Sequence, residues 1–142
     1  MDDGEWPAAD RRLVPPKGES MDIQDRKRAE MRVVKAVADA AFADGRAVAV
    51  MYEPGDNPEV IATNWATLEP HLFQCDEEWV VIFDGPQTER DEPRTIGQIM
   101  LVWGNDTDVI ADYSLSVERY VDAGMDEAMR IDLERDRQLE SD

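Results

Sequence analysis

The sequence predicts an α+β domain with an N-terminal helix, a mostly antiparallel sheet of four or five strands, and a C-terminal helix. Three observations predict it: an early segment with helical periodicity, a middle of short apolar runs separated by turn residues, and a late return to helical periodicity. Short turns between successive strands favour a meander with both helices on one face. We expect the other face to be open and acidic.

Residues 22–44 have the pattern of an amphipathic helix. At about 100° per residue the charged side chains fall on one side and the apolar ones on the other. Gly45 is suited to end this helix. The preceding residues, 1–20, hold three prolines and no hydrophobic periodicity, which predicts a flexible extension. The apolar side of the helix consists of Val33, Val34, Val37, Ala38, Ala40, Ala41 and Phe42.

The strands are predicted from short apolar runs bounded by turn residues. WVVIF at 79–83 is a continuous apolar run between acids and Asp84-Gly85-Pro86, which is typical of a buried strand. Residues 64–74 show no clear pattern, and their conformation stays open. The predicted strands cover residues 46–52, 60–63, 79–83, 95–103 and 109–113.

Residues 116–137 predict the second helix, which completes a single domain over 21–137. Residues 138–142 are nearly all polar, so we expect a frayed acidic tail. The predicted buried face of this helix consists of Val117, Tyr120, Val121, Gly124, Met125, Ala128 and Ile131.

Charge is the most informative feature of the composition. The 142 residues include 33 acids and 15 bases, for a net charge of −18. Nine acids and no Lys or Arg lie between Arg46 and Arg90. Such a field repels nucleic acids and anionic membranes and attracts basic proteins. The partner expected is therefore a basic protein that itself binds nucleic acid, with no direct contact to nucleic acid or membrane.

The single cysteine excludes an intramolecular disulfide and favours a reducing, cytoplasmic setting. The charged neighbours of Cys75 are acids, not the cations that activate a thiol, so it is expected to be an inert, half-buried residue. His71 is the only histidine and belongs to no catalytic motif, so a structural role is expected. No phosphate-binding or nucleophile motif is present, and we expect neither catalytic residues nor a cofactor.

A weaker possibility is a divalent metal site. Asp106, Asp108 and Asp112 offer oxygens to Mg²⁺ or Ca²⁺, although their spacing does not match an EF-hand loop. A polar turn made of Gly104-Asn105-Asp106 explains the same residues more simply.

The candidate binding surface is instead the acidic, base-free middle of the chain. Trp65 lies beside it, and an exposed tryptophan there is suited to anchor an interface. The predicted partner-binding residues are Glu53, Asp56, Glu59, Glu69, Asp76, Glu77, Glu78 and Trp65.

The segment WGNDTDVIADYS at 103–114, with Glu118 after it, resembles the C-terminal signature of small accessory proteins of bacteriophages and other mobile elements. Ala111 stands where those proteins often have Ser. The resemblance implies a genomic setting in which many products act against host defences or regulators. It implies no catalytic residue.

These observations favour a non-enzymatic accessory protein that binds and inhibits a basic host protein, with its carboxylates standing in for phosphates. Two alternatives stay open. In the first, the acidity serves only to hydrate a protein of a salt-rich cytoplasm, which the three Lys against twelve Arg also suit. In the second, the chain binds a small ligand or a divalent metal. The oligomeric state is likewise left open.

Overall fold

A computed structural model describes residues 23–53, 58, 60–85 and 94–141. The predicted extension over 1–20 lies outside these residues. Three turns of 3-10 helix cover Glu69–His71, Asp106–Asp108 and Leu115–Val117. The other elements are α1 (Ile23–Ala43), β1 (Ala47–Met51), α2 (Trp65–Leu68), β2 (Glu77–Phe83), β3 (Thr95–Val102), β4 (Ile110–Tyr113) and α3 (Glu118–Ser141).

The four strands form an antiparallel meander in the order β1-β2-β3-β4, which confirms the predicted α+β class. A fifth strand over 60–63 does not form. Its segment contributes one isolated bridge between Val48 and Ala62, and the chain then turns into α2. Asn64 begins α2 by accepting the Thr67 N–H at 2.9 Å, a side-chain cap that ends any extended run.

The helices α1 and α3 pack side by side in opposite directions. Arg32 of α1 donates to Glu127 at 2.8 Å and to Glu134 at 3.1 Å on α3. Gly124 permits the close approach, because an added Cβ there would lie 2.5 Å from Val37 Cγ2. α3 also extends past residue 137 to Ser141, so the predicted frayed tail is helical through 141.

The main core lies between both helices and one face of the sheet, as predicted. Met125 was expected to share the buried face of α3 but is 40% exposed. Gly124 is at the contact with α1, and the next residue lies about 100° further round the helix. The core includes Val33, Val37, Val48, Val80, Ile82, Ile99, Leu101, Val117, Val121 and Ile131.

The opposite face of the sheet is not the open acidic surface that was expected. At the β1–β2 half it carries a second buried cluster, made of Ala47, Ala49, Val81 and Phe83. Met51 and Ile61 pack against this cluster. The physical reason is that β2 is apolar at successive positions, so both of its faces present apolar side chains.

Candidate functional site

Several of the predicted acidic residues lie at one end of the sheet, where β1 ends, β2 begins and β3 turns into β4. Two hydrogen bonds connect the loops there: Tyr52 Oη–H donates to the His71 carbonyl at 2.7 Å, and Trp103 N–H donates to the Asp76 carbonyl at 2.9 Å. We call this surface the acidic end. Its exposed carboxylates are Glu53, Glu69, Asp76, Glu77 and Asp108.

Glu78 lies beneath the acidic end and is fully buried. Its Oε1 accepts the Phe73 N–H and the Trp103 Nε1–H, both at 2.8 Å. Its Oε2 accepts the Gln74 N–H at 2.5 Å and the Cys75 N–H at 2.9 Å. Four donors therefore surround one carboxylate, as a buried charge requires.

The loop at 73–75, whose N–H groups donate to Glu78, is strained at Phe73 and packs against Trp103. Phe73 has φ +68°, which is uncommon for a residue with a side chain. Its ring stacks on Trp103 with 4.3 Å between centroids, and Lys27 Nζ lies 5.0 Å from the Phe73 centroid. Hydrogen bonding and stacking together maintain a backbone conformation that local preferences disfavour.

Glu30 of α1 supports the turn between β3 and β4 in the same way, by accepting backbone N–H groups. It is fully buried and accepts the Gly104 N–H at 3.0 Å and the Asp106 N–H at 2.9 Å. Arg26 Nε lies 3.5 Å from its Oε2. Asp106 has φ +58°, and its carboxylate receives two hydrogen bonds from Arg135, at 2.6 and 3.1 Å.

The structure brings together only part of the predicted partner-binding set. Glu53, Glu69, Asp76 and Glu77 lie at the acidic end, whereas Asp56 and Glu59 lie outside the described residues. Glu78 is wrong as a binding residue, because its carboxylate is buried and fully used by loop donors.

Trp65 is half-buried rather than an open anchor. It packs against the core on α2, with Lys35 Nζ 5.9 Å from its ring centroid. Cys75 is exposed instead of half-buried, and its backbone N–H is a donor to Glu78.

The weak metal candidate is not supported by the geometry. The Asp106 carboxylate is hydrogen-bonded to Arg135. Asp112 lies apart from it on strand β4, where its Oδ1 accepts the Tyr113 N–H at 2.9 Å. Within the described part of the chain, no three His, Cys, Asp or Glu side chains are grouped so that they could hold a metal ion.

Several carboxylates elsewhere on the surface are paired with arginine. Asp84 pairs with Arg46 and, at 3.2 Å, with Arg94. By contrast, among the residues that the structure describes, no cation lies within ion-pair distance of Glu69, Asp76, Glu77 or Asp108. These four carboxylates therefore present uncompensated negative charge at the acidic end.

Sequence reasoning did not identify Glu30 and Glu78 as the two buried carboxylates that support this site. Both gave a signal: Glu30 falls within the apolar side of α1, and Glu78 alternates in register with the core residues Val80 and Ile82. An acid placed where a core residue belongs indicates a buried carboxylate with several donors.

Comparison with protein-family models, with curated proteins and with solved structures found no match for the chain. Among the residues that the structure describes, none of the helices combines the length and the apolar character needed to cross a membrane.

Proposed function

We propose that this chain is a non-enzymatic binding protein that presents its acidic end to a basic surface of a protein partner. The observation that carries the proposal is the support of both acidic loops by buried carboxylates. Glu78 fixes the loop before β2, and Glu30 fixes the turn after β3. Carboxylates on fixed loops lose little conformational freedom on binding, so more of their interaction energy appears as affinity.

The charge of the surface defines the partner. Asp76, Glu77 and Asp108 are exposed, and the chain carries a net charge of −18. Such a surface accelerates encounter with a basic protein and makes the complex salt-sensitive. A groove that binds nucleic acid offers the densest array of Lys and Arg, and carboxylates at fixed positions can occupy it in place of phosphates. Mimicry of nucleic acid is therefore the specific form of the proposal.

The biological setting belongs to the proposal as well. The likeness of residues 103–114 to accessory proteins of mobile elements supports a host protein as the partner and inhibition as the outcome. The lone cysteine supports action in the cytoplasm.

The first experiment is capture of partners from a host lysate at about 0.15 M salt and again near 1 M, identified by mass spectrometry. We expect a basic, nucleic-acid-binding protein that is retained at low salt and lost at high salt. The captured protein is then purified, and its affinity for the wild-type chain is measured by isothermal titration calorimetry.

Two charge-matched variants decide whether the acidic end is the binding surface. Asp76→Asn with Glu77→Gln neutralises two carboxylates there, and Asp39→Asn with Glu118→Gln neutralises two exposed carboxylates on the helices, outside the acidic end. We expect the first pair to weaken binding at least about tenfold and the second about twofold or less. An equal loss in both would show that binding follows net charge, and would contradict the assignment of the site.

A further inference from the structure

The outer face of α3 carries an apolar ridge that is separate from the acidic end. Met125, Met129 and Leu133 recur every four residues and are 40%, 62% and 56% exposed. Side chains at this spacing form one of the ridges through which helices pack against each other. The buried face of α3 already contacts α1 and the sheet, so the ridge takes no part in the core.

The charges around the ridge define what it can receive. Asp122 and Asp126 lie in the neighbouring row beside its N-terminal half, are exposed, and have no cation within ion-pair distance in the described part of the chain. The base beside Met129, Arg130, is already paired with Glu127 on the same helix. Arg137 lies one turn beyond Leu133 on the same row, so the border is negative along the N-terminal half of the ridge.

A second copy of the chain is a poor occupant. Antiparallel pairing of two α3 helices around Met129 would place Asp122 of one copy opposite Asp136 of the other, and each copy carries a net charge of −18. Like charges across an interface oppose association. An anionic membrane is disfavoured for the same reason.

We infer that the outer face of α3 binds an amphipathic helix of a protein partner, with apolar side chains along one face and Lys or Arg beside them. The apolar face covers Met125, Met129 and Leu133, and the bases meet Asp122 and Asp126. Methionine side chains adapt to irregular surfaces, which suits this kind of contact. The surface excludes Glu69, Asp76 and Glu77, so it stands or falls independently of the acidic end.

The test uses the full chain and a labelled synthetic peptide of about five helical turns, with Leu along one face and Lys on both borders. Fluorescence anisotropy at about 0.15 M salt gives its affinity. A second peptide of identical composition has its Leu residues scattered around the helix. The decisive variant is Met129→Gln with Leu133→Gln, which keeps the charge and removes the apolar ridge. Leu139→Gln is the matched control, since Leu139 is 59% exposed but lies off the ridge.

We expect the amphipathic peptide to bind wild type and Leu139→Gln alike, and the double variant about tenfold or more weakly. We expect the scattered peptide to bind far less. Equal binding of both peptides, or unchanged affinity in the double variant, would overturn the inference, because attraction would then be purely electrostatic. Dimerisation of the wild type in sedimentation velocity that the double variant abolishes would also overturn it, by making a second copy the occupant.

Discussion

Replacing Glu78 by Gln tests the idea that a buried carboxylate shapes the acidic end. The substitution keeps the size of the side chain but exchanges one oxygen for an NH2 group. Four N–H donors converge on the Glu78 carboxylate, two on each oxygen. In the variant, one oxygen can still serve two donors, whereas the other two donors face an N–H group that cannot accept.

The cost follows from this count. A hydrogen bond to a charged group contributes about 1.5–3 kcal/mol, so losing two costs about 3–6 kcal/mol. A neutral amide has a smaller desolvation penalty than a carboxylate, which offsets part of this loss. We therefore expect the free energy of unfolding to fall by about 3 kcal/mol. A loss of that size is a large fraction of the roughly 5–15 kcal/mol that stabilises a folded domain.

Urea denaturation followed by far-UV circular dichroism measures the loss, with Glu77→Gln as the neighbouring control. Glu77 is exposed on the same strand, so its substitution should change the free energy of unfolding by about 0.5 kcal/mol or less. If Glu78→Gln costs no more than Glu77→Gln, the carboxylate does not organise the loop and the basis of the proposed site is wrong.

Three further results are expected. Gly124→Ala should destabilise the fold by about 1–3 kcal/mol in urea denaturation, because the added Cβ would crowd Val37. Gly85→Ala should be nearly neutral, because a Cβ there meets no described atom within 4 Å. Equal effects of the two substitutions would contradict the close contact between α1 and α3. Partial burial, aided by the carboxylates of Glu118 and Asp122, raises the pKa of Tyr113. Comparison of ultraviolet titrations of wild type and Tyr113→Phe should therefore assign a late-ionising step to Tyr113, and Glu118→Gln should move that step to lower pH without restoring the ordinary pKa. A Glu118→Gln titration identical to that of wild type would refute this. Far-UV circular dichroism should show a folded chain at about 0.15 M salt; folding only in molar salt would favour salt adaptation as the reason for the acidity.

The elements that sequence reasoning located are those with one clear period. The apolar side of α1 and the run at 79–83 were predicted because burial on one helix side, or on both faces of a strand, leaves a simple pattern. The strand expected over 60–63 does not form, and the sequence pattern leaves the conformation of 64–74 open. The conformation of residues 60–74 depends on the Asn64 cap and on a single bridge from Ala62, and neither has a periodic signature.

The candidate site was predicted in location but not in construction. A base-free stretch indicated where negative charge accumulates, and the structure places Glu69, Asp76 and Glu77 at one end of the sheet. Charge counting treats every carboxylate alike, so it assigned Glu78 to the binding surface. The alternation of Glu78 with Val80 and Ile82 was the signal that its side chain points into the core, and counting charges does not use that signal.

This difference separates two explanations of the acidity. If the negative charge serves only to keep the protein hydrated, its exact placement does not matter, and no buried carboxylate needs to fix the loops that carry it. Burying a charge such as Glu30 or Glu78 is unfavourable in free energy unless the carboxylate is fully hydrogen-bonded. Both carboxylates accept hydrogen bonds from loops at the same end of the sheet. A chain that fixes the position of its exposed carboxylates at such a cost is expected to use that position. In a Glu78→Gln variant that remains folded, binding at the acidic end should therefore weaken although every exposed charge is retained.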